Sequence, residues 1–281
     1  QKWLALHQQF SPSRNDADCA ATYDRAFTEA VSRIETDRVH VIGLGCGGGQ
    51  KDTRLLKLLS DRRAEISYTP CDVSTAMVLT ARQAALAVLP EQKCFPLVCD
   101  LTTTDDLPEL LVTRHPSPVT RLITFFGMIP NFEPDDILPK LSSLIREQDW
   151  LLFSANLAPG DDYAAGAKRI LPQYDNVPTR DWLLSFLFDL GIEREDGELR
   201  FSVEETSGLN RIAARFHFTQ ARRIEIESEA FAFQPGESIQ LFFSYRYTPE
   251  RVRDALLAHR LEVRRQWITA SGEEGVFLCT R

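Results

Sequence analysis

The segment Gly43-Leu44-Gly45-Cys46-Gly47-Gly48-Gly49 constrains this chain more than any other. It follows an apolar run, Val39-His40-Val41-Ile42, and precedes a stretch with leucines at 55, 56, 58 and 59, which mark one face of a helix. Strand, glycine loop and helix in that order suit a nucleotide-type ligand. The glycines let the backbone turn tightly and let a ligand approach without Cβ clashes. The spacing satisfies G-x-G-x-x-G through Gly43, Gly45 and Gly48. A phosphate-cradling P-loop does not fit. Lys51 is followed by Asp52, whose carboxylate would repel phosphate and leave Mg²⁺ without its hydroxyl.

The pattern around the loop extends this unit into a sheet. A helix is expected over 20–34, and strands over 66–68, 94–99, 121–126 and 150–154. Helices are expected over 75–88, with Ser74 as cap, and from Pro134 to about Ile145, with Asp135 and Asp136 in its first turn. Strands alternating with helices, each strand a short continuous apolar run, indicate an α/β fold with a parallel sheet covered on both faces. Pro159-Gly160-Asp161-Asp162 breaks the pattern. A helix over 182–190 follows, with Thr179 as its cap, then one half-buried strand over 222–233 and another over 238–247. This stretch reads as an α+β module inserted into the α/β sheet. A helix from Thr248 to about Arg260 and strands over 261–269 and 275–280 then close the chain. The closing hairpin implies a seven-stranded sheet whose last strand runs antiparallel. The expected division is 20–158 with 244–281 for the sheet domain, and 1–19 with 159–243 for the other.

Composition removes several alternatives. The 281 residues are 43% hydrophobic and 26% charged, which is ordinary for a globular chain and excludes disorder or a fibre. The net charge of −8 argues against non-specific nucleic-acid binding or an anionic membrane surface. The arginines at 251, 253, 260, 264 and 265 read as a solvated helix face and the strand after it. No window holds the roughly 18–20 apolar residues of a membrane span, and no secretory signal opens the chain. The six cysteines form no C-x-x-C pair, so free buried thiols in a reducing cytoplasm are expected. The five histidines, His7, His40, His115, His217 and His259, lack ligand spacing, and no metal site is expected.

Asp72 lies just past the second strand, where a carboxylate can accept both hydroxyls of a ribose. Asp100-Leu101 follows the third strand. An acid there can take an adenine amino group while the next backbone N–H meets a ring nitrogen. With the closing hairpin, that pair favours S-adenosylmethionine over a dinucleotide. An NAD-linked oxidoreductase remains the alternative enzyme, without an evident hydride-shuttle acid. A catalytically silent module that keeps the fold to hold a ligand is the alternative from another class.

The chain resembles the histidine-specific Nα-methyltransferase family, the ergothioneine-pathway enzymes that trimethylate the histidine amine. The resemblance is carried by Lys2-Trp3, the stretch 43–52, Tyr68-Thr69-Pro70-Cys71-Asp72-Val73-Ser74, Ile129-Pro130-Asn131-Phe132, Tyr174-Asp175, Arg223-Ile224-Glu225, Gly236-Glu237 and Ser244-Tyr245-Arg246-Tyr247. It implies a class I methyltransferase domain, Rossmann-like and seven-stranded, with the N-terminal stretch and the middle insertion forming an α+β substrate domain. It implies that Gly45, Gly47 and Lys51 lie on the cofactor loop, that Asp72 is the ribose acid, and that Asp100 with Leu101 is the adenine pair. On the substrate side it implies that Asn131 holds the amino acid's backbone groups and Tyr174 stands beside the methyl-accepting amine. Ser244 then lies near the substrate side chain, and Tyr23 matches a second substrate tyrosine. Tyr174 and Asn131 are the residues expected to act in catalysis.

The departures from the family pattern bear on the acceptor. Phe242 stands where the family grips the imidazole with an acid, Ile226 replaces a pocket methionine, Ala5 replaces a tyrosine, and Pro130 replaces a glycine before Asn131. A phenylalanine cannot pair with an imidazole N–H, and a site built on that hydrogen bond loses discrimination without it. The expectation is a monomeric N-methyltransferase using S-adenosylmethionine. Its expected acceptor is the α-amine of a small amino-acid-like molecule other than histidine.

Overall fold

The computed structural model describes residues 16–62, 64–111 and 119–281. The described elements run in chain order α1 (Ala17–Ser32), β1 (Arg38–Leu44), α2 (Gln50–Asp61), β2 (Glu65–Asp72), α3 (Thr75–Ala85), β3 (Leu97–Val98), α4 (Leu107–Leu110), β4 (Thr120–Phe125), α5 (Pro134–Leu144) and β5 (Trp150–Asn156). There follow α6 (Tyr163–Tyr174), α7 (Val177–Asp189), β6 (Gly197–Thr206), β7 (Leu209–Phe218), β8 (Arg222–Ile226), β9 (Glu229–Phe233) and β10 (Ser238–Arg246). The chain closes with α8 (Pro249–Ala258), β11 (Glu262–Ile268) and β12 (Glu274–Thr280). The chain divides into two compact units. One is Asp18–Asn156 with Pro249–Arg281, and the other contains Leu157–Thr248.

Seven strands of the first unit form one sheet in the order β11-β12-β5-β4-β1-β2-β3. β1 pairs in parallel with β2 and β4, β4 with β5, and β2 with β3. β12 runs antiparallel to both β5 and β11, the arrangement expected of the closing hairpin. Residues of β1 after Arg38, all of β4 and all of β12 are buried, which is why these strands read as continuous apolar runs. β3 is shorter than the expected 94–99. Pro96 has no N–H to give the ladder, so only Leu97–Val98 pair fully, and Cys94 makes a lone bridge to Tyr68.

The second unit holds the three-stranded antiparallel sheet β10-β7-β6 and the hairpin β8-β9. Leu183, Leu184 and Leu187 of α7 share a core with Leu199, Ala214, Phe216, Phe218 and Ile224. α7 begins earlier than expected. Asn176, not Thr179, is its cap, accepting the Thr179 N–H at 3.0 Å, and Pro178 fits the first turn. The single strand expected over 222–233 is a hairpin that turns at Glu227, φ 55°. Neither Gly nor Pro marks that turn, so the alternation runs through it unbroken. The second boundary of the inserted unit also falls five residues later than expected. β10 continues through Ser244 to Arg246, and Tyr247 bridges Leu157, so Ser244–Thr248 stay with the second unit. Most of the expected 1–19 contribution, including Lys2, Trp3, Ala5 and His7, lies outside the described residues, as does His115.

A buried ion pair lies under the parallel strands. Arg121 of β4 and Asp149, just before β5, are each 1% exposed. Arg121 donates from Nε to Asp149 Oδ2 at 2.9 Å and from Nη2 to the same oxygen and to the Leu144 carbonyl. The Arg146 N–H adds a bond to Oδ2 at 2.8 Å. Removing the acid would leave the guanidinium charged, buried and unanswered. Asp149→Ala should therefore lower the unfolding free energy by about 3–5 kcal/mol in urea titrations. A loss below about 1 kcal/mol would show that the pair carries little of the stability.

Candidate functional site

The loop between β1 and α2 is drawn against the end of β2. The Cys46 N–H donates to the Cys71 carbonyl at 2.9 Å, and the Gly49 N–H closes the loop on the Cys46 carbonyl at 2.9 Å. Gly45 has φ +65°, and a Cβ there would run into the Met128 side chain. Gly47 has open space where its Cβ would stand. Asp72, the last residue of β2, accepts the Gly47 N–H on Oδ2 at 3.0 Å and the Ser74 N–H on Oδ1 at 2.9 Å. Loop and acid are thus held by each other, while Ser74 caps α3.

Beneath the loop sits a carboxylate that the sequence marked only as incompatible with a P-loop. Asp52 is 3% exposed and accepts from the Tyr68 hydroxyl at 2.7 Å and the Thr124 hydroxyl at 2.8 Å. Burial pushes it above the ordinary carboxylate range, and those two hydrogen bonds pull the other way. A Cβ on Gly43 would overlap the Asp52 carboxylate, so this first glycine makes room for the acid.

At the end of β3, Asp100 Oδ1 accepts the Thr102 N–H at 2.8 Å and the Thr102 hydroxyl at 2.7 Å. Those bonds hold its carboxyl below the usual range. Leu101 is buried. The residues before the two acids meet: Cys71 Sγ and Cys99 Sγ are 3.1 Å apart, and both are free thiols. The hydrogen bond from Cys71 brings the Cys99 thiol down to about 7 and pushes the Cys71 thiol up.

Lys51 and Tyr23 belong to a different cluster of the same unit. The Lys51 ammonium lies 3.9 Å from the Tyr23 ring centroid and 3.9 Å from Glu274 Oε1. The Tyr23 hydroxyl is shared between Ser154 Oγ, at 2.9 Å, and the Glu274 carboxylate. Burial raises the tyrosine's pKa and lowers that of the lysine. Glu274 stands in a sequence that reads as a surface turn, and its burial came without a signal. Asn131 ends the short 3-10 turn Ile129–Asn131 after β4, with its side chain exposed and its N–H on the Met128 carbonyl at 3.0 Å.

In the second unit, Tyr174 at the end of α6 gathers a row of β10 side chains. Its ring centroid is 5.5 Å from that of Phe242, and its hydroxyl is 3.1 Å from Ser244 Oγ. Arg246 donates to that hydroxyl and lies 5.2 Å over the ring. Trp182 of α7 packs on Phe242 at 6.4 Å. Tyr174, Phe242 and Ser244, singled out separately in the sequence, are therefore brought together. Ile226 is not in this group. It ends β8 at 39% exposure. Arg246 carried no role in the sequence reading, because its motif is recognised by pattern, and that it meets no carboxylate among the described residues shows only in three dimensions.

Among the described residues, no group of three or more His, Cys, Asp or Glu is placed to hold a metal, and no helix is long and apolar enough to cross a membrane. The open space beside Gly47, Asp72 at the end of β2 and Asp100 after β3 are the described residues that could hold a nucleotide-type cofactor. The seven-stranded sheet, with β12 antiparallel between β11 and β5, has the class I methyltransferase fold. The chain matches the histidine-specific, SAM-dependent methyltransferase family over residues 7–281, and it belongs to that family. Its methyl donor is S-adenosylmethionine. A comparison with curated protein sequences gives no match. Among solved structures, a SAM-dependent methyltransferase from Clostridium acetobutylicum ATCC 824 shares the fold, with a TM-score of 0.53 and 13% identity over 99% of this chain and 97% of that one. The CcbJ methyltransferase from Streptomyces caelestis aligns at a TM-score of 0.47 and 12% identity, covering 92% and 94%. A SAM-bound amino pentose methyltransferase from Micromonospora echinaspora aligns at 0.46 and 14%, covering 100% and 97%.

Two outcomes test this geometry. Asp72→Ala should weaken S-adenosylhomocysteine binding by about 1.5–3 kcal/mol in calorimetric titration, the scale of a lost charged hydrogen bond. Gly45→Val should abolish binding and lower the melting temperature, because a β-branched residue at φ +65° is strained and its Cβ meets the Met128 side chain. Unchanged affinity in a folded Asp72→Ala protein would remove the basis for the ribose assignment. The thiolate is the reactive form of cysteine, so alkylation of Cys99 by iodoacetamide should accelerate as pH rises through about 7. Peptide mapping of the labelled protein reads this directly, and a profile centred near the ordinary value of about 8.5 would contradict the Cys71–Cys99 hydrogen bond.

Proposed function

We propose that this methyltransferase acts on the α-amine of a free amino acid, or a close amino-acid-like molecule, and that histidine is not its preferred acceptor. The observation that carries the reading is the surroundings of Phe242. Where the family resemblance puts an imidazole-gripping acid, this chain has an aromatic ring packed beside Tyr174 and Trp182. A cationic or strongly polar side chain brought there would be desolvated without a partner, at a cost of several kcal/mol. An apolar or aromatic side chain would not.

When bound, the cofactor supplies an electrophilic sulfonium methyl group, and an uncharged amine is sufficient as nucleophile. The protein's task is then placement, which is worth a large share of the barrier. In this reading Asn131 holds the acceptor's backbone groups and Tyr174 orients its amine by hydrogen bonding. Ser244 contributes the hydroxyl already placed beside Tyr174. No residue stands out in the sequence as a dedicated base, and in this reading solvent takes the amine's proton.

Turnover across a panel of amino acids, histidine included, tests the reading. Apolar and aromatic members should outpace histidine, and Phe242→Glu should shift the preference toward histidine. The reading fails if the wild type methylates histidine faster than every apolar amino acid. It also fails if Phe242→Glu leaves the preference untouched while Asn131→Ala abolishes activity. Intact S-adenosylhomocysteine binding with no turnover on any amine would favour a silent binding module instead.

A further inference from the structure

Successive side chains of a strand point to opposite faces, so Phe242, Ser244 and Arg246 share one face of β10. The irregularity of that strand lies between Gln240 and Phe242, before the row begins. The row runs from an aromatic ring through a hydroxyl to a guanidinium, and Tyr174 touches all three.

The guanidinium is the unusual member. Arg246 is 4% exposed, yet among the described residues it meets no carboxylate. Its Nε is buried with no hydrogen-bond acceptor. The other arginines of the same sheet are treated differently, since Arg211 and Arg215 both pair with Glu204 and Arg200 pairs with Glu198. So is the buried Arg121 of the first unit, which Asp149 neutralises. An arginine does not shed its proton in a protein, so its charge persists when buried. Buried charges are ordinarily paired, and a buried donor left without an acceptor calls for an explanation such as a ligand. The contact with Tyr174 answers one nitrogen and part of the charge. It leaves Nε.

We propose that Arg246 is the anion-recognising residue of the acceptor site and receives the acceptor's carboxylate. The assignment rests on the reading above that Tyr174 and Ser244 face the acceptor. It explains the order of the row: an apolar side chain toward Phe242 and a carboxylate toward Arg246. Arg246 then separates amino acids from simple amines of the same shape, because a guanidinium binds a carboxylate by charge-assisted hydrogen bonds that an amine lacking one cannot make.

Matched pairs test this by binding alone. Phenylalanine with 2-phenylethylamine, tryptophan with tryptamine, and leucine with isoamylamine are titrated calorimetrically into the S-adenosylhomocysteine complex of the wild type, Arg246→Gln and Arg246→Lys. For at least one pair the wild type should bind the amino acid tenfold or more tighter than the amine. Arg246→Gln should bring that ratio near one by weakening the amino acid, with S-adenosylhomocysteine affinity retained. Arg246→Lys should restore part of the ratio. The proposal is overturned if the wild type shows no such ratio for any pair, or if a folded Arg246→Gln protein keeps it. Should Arg246→Gln fail to fold, Arg246→Lys decides: a ratio equal to the wild type's overturns the proposal, and a reduced one supports it. Amino acids that bind with the expected ratio and are never methylated would refute the acceptor reading while supporting the anion subsite.

Discussion

Asp52 is a carboxylate buried under the glycine loop and held by one hydroxyl from β2 and one from β4. Burying such a group is unfavourable unless its oxygens are answered, and here both are. The acid springs from the first turn of α2, so its two bonds tie that helix to the strands flanking β1. Gly43 has no side chain because the acid occupies that space. The position of the loop follows, and with it the reach of Asp72 to the Gly47 N–H. One buried acid thus registers helix, loop and three strands against one another.

The neighbouring residue does related work on the other side of the helix start. Lys51 leans on the Tyr23 ring and toward Glu274, while Ser154 Oγ lies 2.9 Å from the Tyr23 hydroxyl and accepts the Gly127 N–H at 2.8 Å. These contacts join α1, α2, β5, β12 and the turn after β4. The ends of the sheet where the loops gather are therefore braced by polar networks, whereas the middle of the sheet is held by apolar packing. Networks of this kind specify one arrangement because each member's partner is fixed.

Much of the first unit was legible from the sequence, because its signals are local. Short apolar runs, a glycine loop, a serine cap and a closing hairpin each declare themselves within a few residues. The second unit was less so. Its hairpin at Glu227 turns without glycine or proline, and its helix α7 is capped by an asparagine outside the apolar stretch. The candidate site divides in the same way. Asp72 could be singled out because it closes a strand next to the glycine loop, and the structure bonds it to that loop through the Gly47 N–H. Arg246 could not, because what distinguishes it is a buried Nε that meets no acceptor among the described residues, and Glu274 could not, because its burial depends on residues more than 200 positions away.

The inserted unit begins and ends at one point. Leu157 bridges Tyr247, and the Ala158 N–H donates to the Tyr247 carbonyl at 2.8 Å. To the chain that forms the seven-stranded sheet, ninety-odd residues are topologically a single long loop whose two ends are already clasped. Side chains on β10 can be exchanged without touching the strands that carry the glycine loop and its acids. A substitution in this clasped segment is then a local event, because the seven-stranded sheet meets the segment as a closed loop whatever its interior carries.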